Sequence, residues 1–110
     1  MARQKTLRIG RRYIRFEIIS NYSPSKRELE KLIQNAVLTL FGEYGYSQIM
    51  PRLITWDDTS RSGIVRCARG EEEKLKAAFA LLPNLGGEKA HVRIWAVSGT
   101  LRKLRRGQHI

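Results

Sequence analysis

The hydrophobic period of this chain switches several times along its length, and the order of the switches narrows the possible folds more than any other feature. Residues 11–20, RRYIRFEIIS, alternate: Ile14, Phe16 and Ile18 fall on one side, Tyr13, Arg15 and Glu17 on the other, as in a half-buried strand. A helical period follows, with Leu29, Leu32, Ile33, Ala36, Val37, Leu40 and Phe41 on one stripe. Ser23 or Ser25 can cap that helix, Pro24 suits its entry, Glu28 completes a capping box with Ser25, and Gly42 or Gly45 can end it. A second strand is expected within residues 46–58, where Pro51 argues for an edge position or a bulge. The polar stretch DDTSRSG then joins it to an antiparallel third strand, GIVRCAR. Gly70 breaks that strand and EEEKLKAAFALL begins a second helix, with acids at its positive end and Leu75, Ala78, Phe79 and Leu82 as its buried stripe. PNLGG reads as a loop. In the last strand, within residues 89–99, Val92, Ile94 and Ala96 alternate against His91, Arg93 and Trp95.

The order β-α-β-β-α-β is the split βαβ plan, and the expected class is α+β: a ferredoxin-like (RRM-like) sandwich whose antiparallel sheet carries two helices on one face. A short basic C-terminal helix is expected to follow, with Ser98 or Thr100 as its cap. The length of 110 residues fits one domain. The expected division is a flexible basic arm over 1–11, a single ferredoxin-like domain over 12–100, and a basic helix or tail over 101–110. Such a sheet leaves one face open, and alternation assigns Tyr13, Arg15, Arg93 and Trp95 to it. Cations and aromatics are the residue types that pair with phosphates and stack on bases.

Charge points the same way. The formal net charge is +11, with 21 Lys and Arg against 10 Asp and Glu. Residues 1–12 hold Arg3, Lys5, Arg8, Arg11 and Arg12 and no acid; residues 101–110 hold Arg102, Lys103, Arg105 and Arg106 and no acid. A near-neutral globule with basic ends implies a polyanionic partner, nucleic acid first. The N-terminus lacks the apolar region of a secretory signal, no run reaches the length of a membrane helix, and the single cysteine cannot form an internal disulfide. A cytoplasmic, reducing setting with no membrane partner is expected.

Catalytic chemistry finds little support. Cys67 lies between Arg66 and Arg69, but strand alternation sends Arg66 to the opposite face, and neither histidine, His91 or His109, is placed as its base. Cys67 is therefore expected in the core. Asp57 and Asp58 suit a turn better than a metal, no Cys/His group has zinc spacing, and no phosphate-loop or dinucleotide motif occurs. The RNA-recognition signature also fails, because the third strand has no aromatic where that family has several. Arginines stand there instead, which suggests phosphate and shape contacts with structured RNA.

Four segments in order, RRYIRFEI, LFGEYG, GIVRCARGEEEKLKAAFALL and VRIWAVSGTLRKLRR, resemble the family of archaeal ribonuclease P protein component 2. That family is the archaeal counterpart of a small conserved subunit shared by eukaryotic ribonuclease P and ribonuclease MRP. The resemblance covers about residues 11–106. It implies a subunit of the RNA-based endoribonuclease that removes the 5′ leader from precursor tRNA. It further implies binding to the catalytic domain of ribonuclease P RNA, pairing with a TIM-barrel protein subunit, and self-association. The RNA is implied to perform the chemistry with Mg²⁺, leaving no cofactor, metal site or catalytic residue in the protein.

The candidate RNA-binding residues are Arg11, Arg12, Arg15, Arg66, Arg93, Trp95, Arg102, Lys103, Arg105 and Arg106. Two other readings remain open from the residues alone. One is another structured-RNA-binding protein, such as a ribosomal component. The other is a small acylphosphatase-like hydrolase, which shares the element order, but the SNYSPS loop lacks an arginine cradle for phosphate.

Overall fold

A computed structural model describes residues 10–82, 84–85, 88–89 and 91–101. In chain order the elements are β1 (Arg11–Ile19), α1 (Lys26–Ile49), β2 (Arg52–Asp57), β3 (Ser62–Ala68), α2 (Glu72–Phe79), β4 (Asn84–Leu85), β5 (Glu88–Lys89) and β6 (His91–Ser98). The main sheet has the order β2-β3-β1-β6 and is antiparallel throughout. β1 and β3 are central, and β2, which begins directly after Pro51, lies on the edge, one of the two placements expected from that proline.

One face of this sheet is dry. Ile14, Phe16 and Ile18 of β1, Leu53 of β2, and Val65 and Cys67 of β3 join Leu29, Ile33, Ala36 and Val37 of α1 and Leu75, Ala78 and Phe79 of α2 in a single core. Phe16 is its centre: its ring lies 5.2 Å from that of Phe79 and 5.9 Å from that of Trp56, the latter pair stacked. Trp56 reaches back to donate its indole N–H to the Pro24 carbonyl at 2.8 Å, which ties the β1–α1 loop to β2. Gly63 makes room for this, since a Cβ there would strike the Thr55 carbonyl and the Trp56 ring.

The helix caps follow the sequence in part. The Ser25 hydroxyl accepts from the Glu28 N–H at 3.1 Å. The Glu28 carboxylate does not complete the box but accepts the Tyr22 hydroxyl at 2.7 Å, which raises the Tyr22 pKa above its usual value. Glu72 and Glu73 occupy the first turn of α2, and Leu75, Ala78, Phe79 and Leu82 are all buried as expected.

Several local expectations are corrected. Gly42 interrupts α1 with a φ of 71° but does not end it: helical backbone resumes and runs to Ile49. Residues 46–49, read as strand, are thus helical; Ile49 is fully buried and Met50, in the left-handed region, donates its N–H to the Tyr46 carbonyl. One glycine permits a turn between helical segments as readily as a stop, and the sequence does not distinguish the two. Leu40, placed on the buried stripe, is 44% exposed. The PNLGG stretch is not all loop, because Asn84 pairs with Lys89 and Leu85 with Glu88 in a small ribbon. Arg11, assigned to the flexible arm, is instead the first residue of β1, opposite Ala68; residues 1–9 of that arm, and the expected C-terminal helix beyond Leu101, lie outside the described residues.

Candidate nucleic-acid interface

The sheet face opposite the helices is built from the other parity of the same strands. Strand register places Arg52 of β2 beside Arg66 of β3, and Arg66 beside Tyr13 of β1. The next row holds Thr55, Ile64 and Arg15, and the one after it Asp57, Ser62, Glu17 and Arg93 of β6. Arg11 extends the surface opposite Ala68. Paired residues in adjacent strands share a face, so Arg11, Arg15, Arg52, Arg66 and Arg93 form one cationic surface.

Its arginines lie along the sheet. Ile64 is on this uncovered face yet has no exposure, flanked by Arg15 and followed two residues on by Arg66. The Nε atoms of Arg15 and Arg66 are themselves shielded from solvent and have no hydrogen-bond partner. The aliphatic stems thus roof Ile64 while the guanidinium groups stay over the sheet. None of these arginines forms an ion pair among the described residues, where the salt bridges are Arg12–Glu72, Lys74–Glu71 and Lys76–Glu73. Guanidinium groups on rigid strands with no carboxylate partner among the described residues suit a phosphate, to which they can donate charge-assisted bonds.

Trp95 lies at an irregularity. The β1–β6 register shifts between Arg15, opposite Ala96, and Phe16, opposite Ile94, so Trp95 has no partner of its own. Alternation from Arg93 keeps its indole on the open face, where Nε1 donates to Glu17 Oε1 at 3.1 Å. Arg15 and Arg93 flank the ring at 5.9 and 5.5 Å from its centroid. The bulge also changes the alternation: Ala96, expected on the core side, pairs with Arg15, and Val97 pairs with Ile14.

Arg12 behaves differently. It shares the helix side with Ile14, lies opposite Cys67, and places Nε 3.2 Å from the Glu72 carboxylate. Of the candidate residues, the fold brings Arg11, Arg15, Arg66, Arg93 and Trp95 onto one face and separates Arg12 from them. Arg102, Lys103, Arg105 and Arg106 lie outside the described residues. Arg52 joins the surface unforeseen; its signal is the parity opposite buried Leu53, obscured because the strand begins six residues later than tyrosine 46 suggests.

Cys67 is buried in the core, and burial, with the Glu72 and Glu71 carboxylates adding to it, pushes its thiol up to about 11 from 9.0. A thiol so placed stays protonated at neutral pH. Asp57 accepts the Thr59 N–H at 2.9 Å and closes the β2–β3 turn. Among the described residues, no three of His, Cys, Asp and Glu gather into a group that could hold a metal ion, and no helix is long and apolar enough to cross a membrane.

A four-stranded antiparallel sheet with two helices on one face and a cationic opposite face defines an α+β protein of ferredoxin-like plan. The same fold occurs in a chain of yeast ribonuclease MRP, with a TM-score of 0.65, 13% identity, and coverage of 91% of this chain and 92% of that one. The chain belongs to the Rpp14/Pop5 family, whose model matches residues 12–107. Ribonuclease P protein component 2 of Pyrococcus furiosus is 38% identical over 101 residues, covering 92% of this chain and 84% of the relative. That of Pyrococcus horikoshii is 41% identical over 101 residues, with the same coverage of 92% and 84%. That of Methanocaldococcus jannaschii is 35% identical over 98 residues, covering 89% and 72%.

Proposed function

We propose that this chain is a protein subunit of ribonuclease P and supports RNA-catalysed removal of the 5′ leader from precursor tRNA. The observation that carries the reading is the unpaired arginine surface on the open sheet face, in a chain whose relatives are ribonuclease P protein component 2. In this reading the surface binds the catalytic domain of ribonuclease P RNA. Phosphate contacts from rigid strands position the RNA and lose little entropy on binding. The basic ends of the chain add long-range attraction that salt screens. The RNA supplies the chemistry with Mg²⁺, and the protein contributes no catalytic group. A TIM-barrel subunit and a second copy of this chain complete the protein partners.

Reconstitution tests this. Ribonuclease P RNA, Mg²⁺ and the TIM-barrel subunit are combined with and without this chain, and 5′ leader release from precursor tRNA is timed. Addition of the chain should raise the rate, with no cleavage when the RNA is omitted. A rate indifferent to the chain, or RNA-free cleavage by the purified protein, overturns the reading.

A further inference from the structure

The arginine surface accounts for phosphates, but it leaves Trp95 unexplained. Trp95 is 51% exposed, a large apolar side chain standing among cations on a face that no helix covers. Its position is constructed: the β6 bulge gives it no strand partner, and bulges re-aim side chains at functional surfaces. Its orientation is held as well, by the hydrogen bond from the indole N–H to Glu17. Arg15 and Arg93 lie over the ring at 5.9 and 5.5 Å from its centroid, near the outer limit of about 6 Å for a cation–π contact, while half of the side chain stays exposed; a base would take the ring by displacing one of these mobile guanidinium groups.

We propose that Trp95 is a stacking platform for one unpaired nucleobase of RNA, with Arg15 and Arg93 holding the phosphates on either side of it. The proposal rests on the RNA-binding reading above and adds a base-contacting site to a surface otherwise suited to backbone. Electrostatics sort the two parts of the nucleotide. The Glu17 carboxylate at the N–H edge of the indole repels phosphate, so the backbone runs over the arginines and the neutral base meets the ring. Other aromatic side chains near this face do not offer a second platform: Tyr13 is half-buried in the row of Arg66 and Arg52, and Trp56 packs on Phe16 on the helix side. One platform takes one base, extruded from a bulge or loop, because bases inside a duplex keep their faces stacked on each other.

The test uses three RNA hairpins with a common stem: one with a single bulged nucleotide, one with an abasic residue at that position, and one fully paired. Affinity is measured for the full chain and for Trp95→Ala, Trp95→Leu and Trp95→Phe at several salt concentrations. The unmodified chain should prefer the bulged hairpin over both others by about tenfold or more, the range for base–aromatic stacking. Trp95→Ala and Trp95→Leu should each lose the preference, and Trp95→Phe should keep most of it. All should retain the same salt slope, because no phosphate contact is removed. Absence of the preference in the unmodified chain, or its survival in Trp95→Leu, overturns the platform and assigns the indole to a protein contact. Absence of salt-dependent binding to any hairpin sinks the RNA-binding reading, and the platform with it.

Discussion

Arg12 and Arg15 are three residues apart on one strand and carry the same charge, yet the fold gives them opposite work. Arg12 faces the helices, opposite Cys67, and is neutralised by Glu72 at the start of α2. Arg15 faces away, unpaired, over Ile64 and beside Trp95. The two faces of the sheet differ in the same manner throughout. On the covered face apolar side chains pack against helices and the Arg12 charge finds the Glu72 carboxylate. On the open face arginine stems replace the helices as a roof, and their head groups are left for an external anion. Strand parity thus separates an arginine that is ion-paired within the fold from arginines left without a carboxylate partner on the open face.

The largest effect that would break this comparison comes from the open face. Arg15, Arg52 and Arg66 replaced together by alanine should flatten the log–log salt dependence of RNA binding by roughly 2 to 3 units, at about 0.9 per phosphate contact. Affinity at low salt should fall accordingly, and loss of the stems that cover Ile64 should lower the unfolding temperature by a few degrees, so binding is measured well below it. An unaltered slope would show that this face does not meet phosphate. Binding isotherms at four or five salt concentrations decide it.

A smaller effect belongs to the covered face. Cys67→Ala should cost roughly 1–2 kcal/mol by leaving a small cavity, and should not change RNA affinity. It should also alter the alkaline limb of stability. The thiol pKa is raised from 9.0 to about 11 chiefly by burial, so the folded state favours the neutral form. The resulting stabilisation is fully present below pH 9 and is lost as pH rises through about 11. The difference in unfolding free energy between the parent and Cys67→Ala should therefore narrow over that interval. A constant difference would mean that the thiol ionises as freely in the fold as in the unfolded chain.

The smallest effect sharpens the comparison most. Arg12→Ala removes a partly exposed ion pair worth about 0.2–1 kcal/mol. It should leave the salt slope of RNA binding within error of the parent, whereas Arg15→Ala should reduce it. Equal slope changes for the two variants would erase the distinction between the faces.

Periodicity along the chain was enough to set out the main elements, the covered and open parities of β1, the buried stripe of α2 and the core position of Cys67. Each of these depends on side chains a few residues apart, which backbone geometry places without reference to the rest of the molecule. The positions of Arg52 and Trp95 depend on more. Arg52 joins Arg66 only through the pairing of β2 with β3, and Trp95, whose face alternation alone assigns, loses its strand partner only through a bulge against β1. Likewise Arg12 looked like one more exposed cation until Glu72, sixty residues later, was folded against it. Helical backbone beyond Gly42 is retained because Ile49 reaches the core from there, a gain that no local pattern expresses. Local propensity decides what an element is and which side of it is apolar; register, bulges and ion pairs are properties of two distant segments in contact, and only the tertiary structure brings those segments together.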